Sequence, residues 1–258
     1  MMQFKDMLGT EILLKDYPKR IVSLVPSQTE LLYDLGLEEE VVGITKFCIH
    51  PKEWFETKKR IGGPKKLNID TIQALKPDLI IANKEENIKE EIEKLRKIAP
   101  VWISDINNLE ESLVMITEIG SICGKEQKAS EIHDQIKNDF SKLPLSSIQG
   151  KTVAYFIWYQ PLMVVASNTY IDDILNRIGF INIFKGKSRY PETNWTELKA
   201  LNPEIILLSS EPFPFSKKHQ IEFENQLPNT KIVLVDGEPF TWYGSRMLYA
   251  LSYFKNIF

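Results

Sequence analysis

Cys48 and His50 have the most reactive side chains in close register in this sequence. Two residues apart in an extended segment, they project to the same side, where they could share a metal ion or reach one ligand atom. A structural zinc site needs four such ligands. The other candidates are scattered: Cys123 stands alone, His133 lies in a helical stretch and His219 follows Lys217-Lys218. The pair therefore reads either as two contacts to one ligand or as a packed cysteine beside a loop histidine. Nucleophilic catalysis by Cys48 is disfavoured, because a base two residues along the same backbone is badly placed to activate it. No G-x-S-x-G, P-loop or G-x-G-x-x-G run occurs, and Gly62-Gly63-Pro64 is too short to cradle a phosphate.

Other candidates read two ways. Arg246 carries a planar fork that suits a ligand carboxylate or phosphate, or else a salt bridge fixing its own loop. Ser27 is placed either to donate to a ligand at a helix N-terminus or to form a capping box with Glu30. Phe47, Trp158, Tyr159, Tyr190, Trp242 and Tyr243 are aromatic faces in loops, available to a ligand or capping the core. Glu85 and Glu211 occupy equivalent places in a repeat, and Glu86 and Glu90 are neighbours of the first.

That repeat reveals the elements that must position these groups. Ala74-Leu75-Lys76-Pro77-Asp78 and Ala200-Leu201-Asn202-Pro203-Glu204 each close a helix and lead through an apolar run into a polar loop. Strands are expected over 21–25, 41–44, 78–82 and 101–104, then over 152–158, 204–208 and 231–236, with helical periodicity between them. Thr169 and Asp172 suggest a second helix cap, and Asp105 and Asp236 follow the last strand of each half. From Lys125 to Leu143 there is no Gly or Pro, and Ala129, Ile132, Ile136, Phe140 and Leu143 recur at helical spacing. This predicts a packed helix of about 28 Å rather than a flexible linker. The expected fold is α/β: two lobes, each a mainly parallel sheet flanked by helices, joined by one long rigid α-helix. The expected boundaries are an N-lobe over 20–123, the linking helix over 125–143 and a C-lobe over 150–258. Ligands of such sheets bind beyond the carboxyl ends of the strands.

Composition narrows the functional classes. The chain has 258 residues, 43% hydrophobic and 26% charged, with a formal net charge of −3. That balance argues against nucleic-acid binding, which needs a concentrated basic face. Two isolated cysteines supply no disulfide framework, and no apolar run of about 20 residues is present to span a membrane. The first residues lack the apolar run of a signal peptide. The expectation is cytoplasmic residence if this N-terminus is native, or removal of an export segment.

The run Arg20-Ile21-Val22-Ser23-Leu24-Val25-Pro26-Ser27-Gln28-Thr29-Glu30-Leu31, the two repeated turns and the long central helix together resemble the class III, helical-backbone substrate-binding proteins of ABC importers. These are the vitamin B12, haem and iron-siderophore receptors, and the similarity runs from about residue 20 to residue 258. The cobalamin-binding-protein-like branch has similar stretches at Thr45–Pro51, Lys84–Asn87, Ser210–Phe215 and Trp242–Arg246. The resemblance implies a monomer of the periplasm or cell envelope that binds cobalamin, haem or a ferric chelate between two lobes. It implies no intrinsic cofactor, no catalysis and only small closing motion. Ligand contacts would come from Ser27, Phe47, Cys48, His50, Trp158, Tyr159, Tyr190, Trp242, Tyr243 and Arg246. Cys48 and His50 would meet metal only through a bound chelate. Docking on the permease would use one acidic patch per lobe, Glu85, Glu86 and Glu90 on one and Glu211 on the other. The competing readings are a non-exported α/β enzyme, or a cytosolic carrier or sensor on the same fold.

Overall fold

The computed structural model describes residues 1–258 and divides into two compact units. The first comprises residues 1–106, 110–136 and 242–246; the second comprises 107–109, 137–241 and 247–258. Both are α/β with helices beside a mainly parallel sheet.

In the first unit the sheet is all-parallel, in the order Lys59–Arg60, Val41–Ile44, Ile21–Ser23, Leu79–Asn83, Val101–Ser104. Leu79–Asn83 is buried at every position, as expected of a strand covered on both faces. Val22, Leu24, Ile80, Ala82, Val101 and Ile103 pack with Ile72, Ile92 and Leu95 from the helices. Each fully buried aliphatic side chain there contributes roughly 1.5–3 kcal/mol. Two small hairpins complete the unit, Met2–Lys5 with Glu11–Leu14 and Gly62–Gly63 with Lys66–Leu67. The first lies ahead of the expected N-lobe boundary at residue 20. Its signal was present in the alternation through Glu11–Leu14, where Ile12 and Leu14 are buried and Glu11 and Leu13 exposed.

The second unit is built around Thr152–Trp158, which pairs parallel with Ile205–Ser209 and with Ile181–Asn182, and antiparallel with Met163–Val164. Ile205–Ser209 in turn pairs parallel with Lys231–Val235. Its core joins Ala154, Phe156, Ile206 and Leu208 to Phe184, Leu198 and Phe223.

Several local expectations change. The helix after Ile21–Ser23 begins at Pro26, with Pro in its first turn and no side-chain cap on Val25. Proline is favoured there because its missing N–H has no partner to lose. Ser27 and Glu30 therefore lie inside the helix, and the capping box predicted for them does not form. Thr169 does cap, accepting from the Asp172 amide at 3.2 Å, and its helix stops at Gly179 with φ 117°. The Asp172 carboxylate instead accepts from Asn182 Nδ2 at 2.7 Å. The central helix runs over Glu126–Phe140, about 22 Å at 1.5 Å per residue against the longer span expected. Ala129, Ile132, Ile136 and Phe140 are its buried stripe, as the periodicity predicted.

Candidate ligand-binding site

In the first unit, every strand of the sheet's centre ends in or beside a buried polar residue: Ser23, Thr45, Asn83 and Ser104. They form one hydrogen-bonded floor. Asn83 Nδ2 donates to Ser104 Oγ at 3.0 Å, and Gln28 Nε2 donates to the Ala82 carbonyl at 3.2 Å. Asn83 Oδ1 accepts from the amides of Glu85 and Glu86 at 2.9 and 3.0 Å, turning the loop that carries both acids. These bonds hold the loop backbone in one arrangement, although Gln28 Oε1 is buried without a hydrogen-bond partner.

Cys48 belongs to this floor. It is fully buried, with Thr29 Oγ1 and Thr45 Oγ1 at 3.1 and 3.2 Å from Sγ. Its amide donates to the Thr45 carbonyl at 3.2 Å, so the segment is a turn and the two-residue alternation of a strand does not apply. Burial pushes the thiol pKa up, keeping it protonated. Cys48 is thus held inside the unit between two threonine hydroxyls. His50 is half-buried and lies edge-on to Trp242, with ring centroids 5.5 Å apart.

Trp242, Tyr243 and Arg246 were expected on the C-terminal lobe. The structure places the five residues 242–246 in the first unit. The correction has a plain physical cause: these side chains find their partners there. Arg246 makes two bonds to Glu30, Nε to Oε2 at 2.8 Å and Nη2 to Oε1 at 2.6 Å, and its guanidinium lies 5.3 Å from the Trp242 ring centroid. Tyr243 is buried, with its hydroxyl donating to Glu86 at 3.2 Å. The Gly244 amide donates to Ser112 Oγ at 3.1 Å, and its φ of 89° favours glycine. Burial raises the Glu30 carboxyl pKa despite the adjoining Arg246, and raises that of Asp34 one turn along the helix. Tyr243 is held well above the usual phenol range, by burial first and by Glu86 second. Arg246 thus serves its own loop, and Ser27 lies buried beside these groups.

In the second unit the strand ends meet an aromatic cluster. Trp158 is 39% exposed and packs edge-on to Phe213 at 5.7 Å. Tyr159 lies 4.8 Å from the His219 ring and donates to Glu222 at 2.5 Å. His219 Nδ1 accepts from the Ser216 amide at 3.0 Å, closing the helix Lys217–Gln226. Burial and Lys218 lower its pKa, consistent with that neutral role. The spacing of Ser216 and His219 was the sequence's faint signal of this helix. Tyr190 is half-buried under the Arg189 guanidinium, 5.5 Å from the ring centroid.

The four candidate acids separate. Glu85 and Glu90 are exposed, whereas Glu86 is half-buried beside Tyr243. Glu211 is half-buried too, accepting from Thr241 Oγ1. Phe47, by contrast, is an aromatic face 54% exposed in the loop after Val41–Ile44.

Parallel sheets with polar strand ends and aromatic side chains beside them suit reversible capture of a small molecule. The chain belongs to the periplasmic binding protein family, whose model matches residues 21–229. By class it is a substrate-binding protein of the ABC-transporter kind, and its relatives are binding proteins, not enzymes. One relative is an ABC transporter substrate-binding lipoprotein of Bacillus subtilis, uncharacterized by its own description. The two are 27% identical over 213 residues, 78% of this chain and 67% of the relative. A vitamin B12-binding protein of Vibrio parahaemolyticus is 25% identical over 195 residues, 74% of this chain and 70% of that protein. Among solved structures, a periplasmic haem-binding protein of Pseudomonas aeruginosa shares the fold with a TM-score of 0.78. Its identity is 20%, over 93% of this chain and 92% of that one.

Proposed function

We propose that this protein captures a metal chelate of the cobalamin, haem or ferric-siderophore class in the cell envelope and delivers it, as a monomer, to an ABC permease. The observation that carries this reading is an exposed aromatic face just beyond a parallel strand in each unit, Phe47 in one and Trp158 in the other. Flat macrocycles and chelates bury such faces on binding. Phe47, His50, Trp158 and Tyr190 are the contacts we assign, with Tyr159 supporting Trp158. Ser27, Trp242, Tyr243 and Arg246 support the first unit's face from behind. Docking falls to Glu85 and Glu90 on the first unit, where solvated charge can steer encounter with a basic socket, and to Glu211 on the second.

Fluorescence titration with cyanocobalamin, haemin and ferric siderophores tests the reading, since five tryptophans report quenching. Saturable binding of at least one is expected. Trp158→Ala should weaken it by about 1–2 kcal/mol, while Cys48→Ala should leave affinity unchanged. Binding of none of these ligands overturns the proposal.

A further inference from the structure

The loop after Val41–Ile44 shows more than one exposed ring. Burial of Cys48 between Thr29 and Thr45 turns its two neighbours outward, and Phe47 and Ile49 are 54% and 45% exposed. Lone exposed apolar residues are unremarkable, but this ring is seated. A Cβ at Gly63 would lie 3.2 Å from Phe47 Cε2 and 3.3 Å from Lys46 Cε. Gly63 does not have the positive φ of its neighbour Gly62, so its backbone admits a side chain. Space for the ring and for Lys46 is what glycine provides there.

One cation borders the ring, and a second is carried on the adjoining hairpin. Lys46 Nζ lies 5.1 Å from the Phe47 ring centroid. Lys66 is the cross-strand partner of Gly63 in the hairpin, and such partners project from the same face. Both lysines are exposed. Nearby Lys84 differs, being neutralised by Asp105 at 2.6 Å. Acids also reach this hairpin: Glu91 Oε2 accepts from the Leu67 amide at 2.9 Å and Lys65 Nζ donates to the Glu85 carbonyl at 2.7 Å, while Glu85 and Glu86 are carried on the turn organised by Asn83.

We infer that Phe47 on Gly63, flanked by Lys46 and Lys66, is a subsite for a flat anionic chelate, which lays its ring on Phe47 and pairs its carboxylates with the two ammonium groups. This rests on the proposed function and narrows it, favouring a carboxylate-bearing planar chelate over a corrinoid whose periphery is mostly neutral amides. Ionised hydrogen bonds of this kind discriminate more strongly than neutral ones.

The test compares haemin, haemin dimethyl ester and cyanocobalamin by fluorescence quenching at low and high salt. Haemin should bind most tightly, and added salt should weaken it. Replacing both Lys46 and Lys66 by Ala should weaken haemin by about tenfold and leave the ester unchanged. Gly63→Ala should weaken both by displacing the ring. Both lysines are exposed and the Gly63 backbone has no positive φ, and unchanged melting verifies that the variants fold. Haemin binding that ignores the lysine replacements, or tighter binding of cyanocobalamin, overturns this inference and leaves the proposed function standing. Failure of all three probes and of the ferric siderophores to bind removes the proposed function itself.

Discussion

The two copies of the repeated turn do the same work in the two units, and the faces they lead into differ. In the first copy Lys76 takes a left-handed φ of 48° ahead of Pro77, and in the second Asn202 takes 43° ahead of Pro203. The acid that follows is a stitch in both. Asp78 accepts from the amides of Lys19 and Arg20 at 2.9 Å each, just before Ile21–Ser23. Glu204 accepts from the amide of Thr152 at 2.8 Å, at the start of Thr152–Trp158. Each acid thus fixes the start of the neighbouring strand. At the far end, Asn83 Oδ1 and Ser209 Oγ each accept from the amide two residues on. Beyond that point the first unit is closed by charge and hydrogen bonds, and the second by rings packed mostly edge to face. A shared scaffold has been finished with two chemistries.

The largest expected effect attacks the charged closure. Arg246→Ala leaves the buried Glu30 carboxylate without this partner and should cost about 2–3 kcal/mol. Glu30 already has a raised pKa in the fold, and losing Arg246 raises it further. A carboxyl whose folded pKa exceeds its unfolded one costs stability as pH rises through that range. The deficit should therefore shrink as pH falls through the raised folded range toward the ordinary carboxyl value, which thermal melts at two pH values would reveal. A pH-independent deficit would mean that the first unit is closed by packing, as the second is.

Next come the stitches. Asp78→Ala removes an ionised acceptor from two amides and should cost about 1–2 kcal/mol. Glu204→Ala should be milder, since that side chain is solvent-exposed. The Thr152 amide lowers the Glu204 pKa, so its contribution exists above the unfolded value and fades as pH falls through the folded one. Equal losses at neutral pH would break the ranking. The smallest effect sharpens the comparison itself: Lys76→Asn should stabilise the first copy by about 0.5–1 kcal/mol, because asparagine tolerates the left-handed region better than lysine. No gain would place the strain elsewhere in that turn.

The α/β organisation was legible in the sequence because its signals are local. Apolar runs after Pro77 and Pro203 are strands wherever they sit, and the stripe from Ala129 to Phe140 is a helix by period alone. The errors all involve partners distant in the chain. Glu30 three residues after Ser27 suggested a cap, but its real partner, Arg246, lies 216 residues away. Cys48 and His50 suggested a pair, until the turn at Thr45 sent one inward. Trp242 and Tyr243 follow the second unit's last strand, so proximity in sequence assigned them to it, and only burial beside Glu86 and His50 reassigns them.

The segment 242–246 also sets an order of events. The first unit's residues are synthesised early, yet Glu30, Glu86 and Ser112 wait for Arg246, Tyr243 and Gly244. A nascent chain therefore carries an unfinished first unit until almost all of it has been translated.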